Sequence, residues 1–152
     1  MVYAVPKTSA ISCCHQQQCV VFSDSITDVG DKRFQYAAAN HVRRQHAACE
    51  FVPVDTMAYD NGFLCKRGPW IRFNGKTYYL IKRKEKIYPT SGPVSVDVLI
   101  LQHNPVQSPE EVAEVLSFKE VMADATSTPF YIQRWEEWCV RNNVPFRNAS
   151  CL

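Results

Sequence analysis

No apolar run in the sequence approaches the ~20 residues that a membrane-crossing helix needs. The N-terminus also lacks the charged stretch followed by an apolar one that marks a secretion leader. There is no G-x-S-x-G elbow, no P-loop, no GxGxxG and no H-E-x-x-H, so the familiar nucleophile, phosphate-cradle, dinucleotide and zinc-helix chemistries have no motif here. An excess of either charge is lacking too. The 17 basic and 15 acidic residues leave a net charge of +2, which argues neither for nor against nucleic acid. No short-period repeat or low-complexity stretch is visible.

What is present is the composition of a globular domain. The 152 residues are 46% hydrophobic and 21% charged, enough for one domain over 1–152 with a real core. The seven cysteines are an odd number, so at least one stays free or pairs outside the chain. They repeat no CxxC knuckle and several sit in apolar runs. Buried reduced thiols are expected rather than a disulfide framework.

Val2–Val5 and Cys19–Ser23 read as β-branched and aromatic strands. The first begins directly after Met1, a pattern expected of a piece of a larger protein. Polar "CCHQQQ" lies between the two strands and is suited to a hairpin turn. Residues 31–49 place Phe34, Ala38 and Val42 at four-residue spacing among alanines, which predicts a helix. Residues 51–65 read as irregular, with a turn at Asn61-Gly62. In "WIRFNGKTYYLIK", Trp70–Phe73 and Thr77–Lys82 are strand-like, and Asn74-Gly75 supplies the two positive-φ residues of a type I′ turn.

The character changes after Val96. Val98–Leu101 is a continuous apolar run of the kind buried on both faces of a parallel sheet. Ser108, Pro109 and Glu111 spell N-cap, first helical position and capping-box partner. Glu120–Ala123 reads as a strand, Thr128-Pro129 repeats the helix start, and Ile132, Trp135, Trp138 and Cys139 share one helical face. Asn143 suits the end of that helix, and "VPFRNAS" reads as a last strand. The expected fold is mixed α/β, with a hairpin-rich first half and a βαβαβ second half joined by right-handed parallel crossovers.

Three groups invite a chemical reading. Cys13, Cys14, His15 and Cys19 are zinc-ligand types, but adjacent strand residues point to opposite faces, so ordinary strand and loop residues are expected. His41 and His46 are five apart, not the three or four that helical ligand pairs use. From Lys66 to Lys86 the chain interleaves Lys66, Arg67, Arg72, Lys76, Lys82, Arg83, Lys84 and Lys86 with Trp70, Tyr78 and Tyr79. Such a pattern suits a nucleic-acid backbone with base stacking; a solvated hairpin face gives the same pattern. Asp24, Asp97, His103 and Asp124 stand near strand ends, where carboxylate and imidazole could converge as in a hydrolytic metal site.

"VYAVPKTSAISCCHQQQCVVFSDS", "IRFNGKTYYLI", "VDVLILQHNP" and "VMADATSTPFYIQRWEEWCVRNNVPF" together resemble the C-terminal soluble region of ComEC-type competence proteins. Those are polytopic bacterial inner-membrane proteins of DNA uptake, and in many of them this region is metallo-β-lactamase-like. Asp24 would match an acidic residue that ends an early strand of the family. Asp97, Val98, Leu99 and His103 would match an Asp-Val-Leu run leading to Gly-His-His-Gly, with Asn104 and Pro105 in place of the second His and Gly. The His-x-His-x-Asp-His metal motif is absent between Asp24 and Trp70. The resemblance therefore implies a degenerate domain with no catalytic metal and no cofactor. Asp24, Asp97, His103 and Asp124 would be its vestigial site. The partner it implies is single-stranded DNA through Lys82, Arg83, Lys84 and Lys86, with membrane contact only through the parent protein. The competing readings are a metal-dependent nuclease on those same four site residues, and a purely structural domain.

Overall fold

The computed structural model describes residues 1–44, 48–83, 85–88 and 91–151, and within 39–44 the backbone alone. Along the chain come β1 (Ala10–His15), β2 (Gln18–Ser23), α1 (Lys32–Arg44), β3 (Ala48–Pro53), β4 (Ala58–Asp60), β5 (Leu64–Arg67), β6 (Trp70–Phe73) and β7 (Lys76–Ile81). Then follow β8 (Val94–Leu101), α2 (Pro109–Val115), β9 (Leu116–Ala123), α3 (Pro129–Arg141), β10 (Phe146–Asn148) and a terminal 3-10 turn, Ala149–Cys151. The fold is mixed α/β, and its second half is the βαβαβ run that the sequence predicts.

The strands form a three-stranded sheet, ordered β1-β2-β3, and a seven-stranded sheet, ordered β10-β9-β8-β7-β6-β5-β4. β1 and β2 pair antiparallel, and α1 carries the chain over so that β3 pairs parallel with β2. β4 to β7 form an antiparallel meander. β7, β8, β9 and β10 then run parallel, joined through helical crossovers after β8.

Burial divides the apolar residues into three layers of core. Ile11, Val20, Phe22 and Val52 of the small sheet pack with Leu64, Ile71, Leu80, Val98 and Ile100 of the large one. The two sheets therefore face each other. The outer face of the small sheet lies under α1, where Val21 and Ala10 meet Phe34 and Ala38. The outer face of the large sheet lies under α2 and α3, where Leu99, Leu101 and Val121 meet Val112, Trp135 and Cys139. The result is helix, sheet, sheet, helix. It explains the unbroken apolar run in β8, whose alternate side chains enter different cores.

Local chemistry sets the element ends. Asn74 and Gly75 have φ of 51° and 73°, the two left-handed residues of a type I′ turn between β6 and β7. The Ser108 hydroxyl accepts the Glu111 N–H, and the Glu111 carboxylate accepts the Ser108 N–H at 2.7 Å, so α2 opens on a complete capping box. Pro129 opens α3, and Asn142 with left-handed Asn143 (φ 54°) closes it.

Four expectations fail. The helix expected over 31–49 ends at Arg44, and Ala48 and Cys49 belong to β3 instead. Val2–Val5 is not a regular strand, making only isolated bridges from Val2 to Ile11 and from Val5 to Thr8. Pro6 and left-handed Lys7 (φ 58°) fold the chain back, and the first hairpin strand is β1 instead. Residues 51–65 are not irregular, because they contain the second half of β3, all of β4 and the start of β5. β4 is an edge strand of three residues, too short for the alternation of its one half-buried residue, Tyr59, to mark it in the sequence. Finally, Cys14 and Cys19, expected as reduced thiols, are joined in a disulfide. The β1–β2 register sets them directly opposite each other, whereas their spacing along the chain shows only a polar loop. Cys13 and Cys139 are buried free thiols, both pushed up to about 11 by burial.

Candidate functional site

Three of the four strand-end residues meet where the two sheets join. Asp24 directly follows β2, and His103 lies two residues after the end of β8. His103 Nε2 lies 2.8 Å from Asp24 Oδ2, across 79 residues of sequence. Asp24 Oδ1 accepts the Ser9 N–H at 3.1 Å, so both carboxylate oxygens are engaged. His103 and Asn104 are consecutive left-handed residues, with φ of 52° and 50°. That tight turn aims the imidazole at the small sheet.

The rest of "LQHNP" is tied to the loop between β9 and α3. The His103 N–H donates to Thr126 Oγ1 at 2.7 Å. Asn104 Oδ1 accepts the Thr128 N–H at 2.8 Å, at the start of α3. The Tyr131 hydroxyl donates to the Pro105 carbonyl. Asn104 and Pro105 thus work as loop anchors.

Asp124 lies beneath this turn with 0% of its surface exposed. Burial is the main cause that raises its pKa, while hydrogen bonds from Thr126 hold it down. Its Oδ1 accepts the Thr126 N–H at 2.9 Å and the Thr126 hydroxyl, and the Ser9 side chain lies close enough to help hold the pKa down. Gln102, also 0% exposed, donates through Nε2 to Ser9 Oγ, and its Oε1 has no hydrogen-bond partner among the described residues. Ser9 comes from the approach to β1, and Gln102 and Asp124 from the large sheet. A buried polar knot therefore joins the two sheets beneath the His103–Asp24 pair.

Asp97 is not brought to this place. It lies within β8, six residues before His103, or about 20 Å along an extended strand. Its carboxylate accepts the Thr77 N–H and contacts Lys119 Nζ, both at 2.8 Å. The Lys119 hydrogen bond is the chief cause holding it below the usual carboxylate range.

The basic stretch divides by environment. Lys66 is buried, and its Nζ donates to the Thr56 and Gly68 carbonyls at 2.7 and 2.5 Å; burial lowers its pKa. Lys82 is half-buried, pairs with Asp55, and is likewise lowered by burial despite the attraction of Glu85 and Asp24. Arg83 and Lys86 are exposed on the connection after β7. Lys84 lies outside the described residues. So does His46, and the side chain of His41 is not described.

Arg33 of α1 borders the site, contacting Thr8 Oγ1 at 3.2 Å and Ser25 Oγ at 3.3 Å while paired to Asp31 at 2.7 Å. Sequence reading missed Ser9, Arg33, Gln102 and Thr126. Only Gln102 carried a signal, a lone amide at the end of an otherwise apolar strand.

A hydrolytic zinc site takes three converging protein ligands and leaves one position open. Asp24 and His103 here occupy each other, and Asp124 is buried and raised. Among the described residues no group of three or more His, Cys, Asp or Glu side chains is placed to hold a metal ion. These residues do not fit a catalytic metal centre. In the described residues no helix is long and apolar enough to cross a membrane.

Residues 1–150 match the model of the ComEC C-terminal domain. No curated protein and no solved structure matches the chain. The chain belongs to the ComEC C-terminal domain family, which ties it to the proteins of competence and DNA uptake.

Proposed function

We propose that this ComEC C-terminal domain is a non-catalytic accessory module of a DNA-uptake protein of the bacterial inner membrane, a degenerate metallo-β-lactamase-like domain that assists passage of single-stranded DNA. One observation carries the reading. The imidazole of His103 and the carboxylate of Asp24 satisfy each other at 2.8 Å, in a loop whose remaining polar groups anchor the β9–α3 connection. Chemistry on a phosphodiester needs ligands or bases left free to face the substrate. The two facing sheets, and the gathering of Asp24, His103 and Asp124 at strand tips, support descent from a site of that kind.

Contact with the strand falls to exposed cations. Arg83 and Lys86 are exposed on the surface, whereas Lys66 and Lys82 are committed to the fold. Phosphate contacts made by such cations release counterions, so affinity falls steeply with salt.

The test combines a nuclease assay with a binding assay on a fluorescent single strand, with zinc or manganese added. The expected result is no cleavage, together with salt-sensitive binding that reversal of Arg83 and Lys86 to Glu abolishes. His103→Ala is expected to cost less than about 1 kcal/mol, because the His103–Asp24 contact is partly exposed. Metal-dependent cleavage that disappears in His103→Ala would overturn the non-catalytic reading. Binding unchanged by the charge reversal would overturn the DNA reading.

A further inference from the structure

The seven-stranded sheet is wider than the three-stranded one, and beyond β1 the two sheets, with Met1 and Val2, line a partly open cavity of about 210 Å³. It shares no residue with the strand-tip cluster. Its floor is Ile71, Val98, Ile100 and Met122 of the large sheet, with Ile11 and Cys13 of β1 opposite. The polar groups that line it are different in kind. Lys76 forms no ion pair among the described residues. Arg147 contacts Glu120 through Nε at 2.6 Å, which leaves its terminal nitrogens free of that contact. The Tyr78 hydroxyl makes no hydrogen bond to the described residues. Burial pushes the Tyr78 phenol up, so at neutral pH it is a neutral donor.

An apolar chamber with a few polar groups at one side is the usual form of a small-molecule site. The sign of the charge selects the ligand. The one carboxylate lining the cavity, Glu120, is answered by Arg147. Asp97, the nearby carboxylate whose charge Lys76 also feels, is already held by Lys119 and the Thr77 N–H. Lys76 therefore forms no ion pair among the described residues and stands exposed near the Tyr78 hydroxyl. The cavity's volume leaves room for one six-membered ring or a chain of similar bulk.

We propose that this cavity binds a small amphipathic anion. Its aromatic or short aliphatic body sits between the sheets, and its acid group meets Lys76, Tyr78 and Arg147. This site is independent of the strand-binding reading, and either can fail without the other.

The test is titration of the intact chain, followed by backbone-amide NMR. The probes are phenyl phosphate and hexanoate, with benzyl alcohol as the uncharged control. Saturable shifts are expected at Ile71, Val98, Ile100 and Met122. Lys76→Glu is expected to weaken the anion about three- to tenfold while leaving benzyl alcohol unchanged. Met122→Trp, which fills the floor, should remove binding of all three probes. Should that variant misfold, the exposed Lys76→Glu carries the test alone. Binding of phenyl phosphate only assigns an aromatic ligand, of hexanoate only an acyl one, and of both a site that accepts either body. Failure of both anions to shift these residues, or equal affinity in Lys76→Glu, would overturn the proposal.

Discussion

Asp124 is a carboxyl group whose ionisation the fold opposes, since burial is the leading cause of its raised pKa. The sign follows from linkage. With a folded pKa above the unfolded value of about 3.9, its contribution to stability is complete below that value and is lost as pH rises through the folded one. Asp124→Asn keeps the Oδ1 acceptor for Thr126 and replaces the buried carboxylate with an uncharged amide. It is expected to be more stable than the parent at pH 7.5 and to lose that advantage towards pH 4. Urea midpoints at the two pH values measure this, and a difference that does not widen with pH refutes it. At this scale the sequence was partly legible. Asp24, His103 and Asp124 each follow an apolar run closely, so their position at strand tips could be read. That they meet one another, and that Asp97 does not join them, depends on which strands pair. Ser9 and Thr126 look like ordinary loop residues until the sheets close on them.

The helices of the second half were legible because their signals are local. Ser108, Pro109 and Glu111 lie within four residues of chain, and the structure uses each in the expected role. Ser108→Ala should cost about 1 kcal/mol in chemical denaturation, and an unchanged midpoint would show that the seven-residue helix is held by packing alone. In α3 the apolar spacing placed Trp135 in the core, where it is 0% exposed and packs near Phe118 and Trp138. Trp135→Ala should cost about 3–5 kcal/mol, and more than Trp138→Ala, because Trp138 keeps 9% exposure. The opposite order would mean that the packing of α3 has been misassigned. β4 and β5 were not legible because short strands in a meander take their pairing from neighbours rather than from their own pattern. The Cys14–Cys19 link was hidden for a related reason, since it is set by the register of the β1–β2 hairpin.

For the whole molecule, the class and the βαβαβ half were legible, but the division of strands between two sheets was not. β2 and β3 pair through a crossover, and β7 joins β8 in parallel. Nothing in the intervening residues states which sheet each strand will enter. The Ser9–Gln102 and Asp24–His103 contacts that close the sandwich span 93 and 79 residues. This has a consequence for folding kinetics. Hairpins form early because their loops are short, while contacts between distant segments wait for the chain entropy to be overcome. The meander from β4 to β7 and the βαβαβ run can each assemble from near neighbours, and the clasp between the sheets is then among the last features made. Ser9→Ala leaves the buried Gln102 amide unpaired, at a cost of about 1–3 kcal/mol. That cost should appear as faster unfolding with an almost unchanged folding rate, a φ-value near zero in a chevron experiment. A slowed folding limb would place the clasp in the nucleus instead. With a late clasp, the strand tips that carry the candidate site are also where the native protein first comes open.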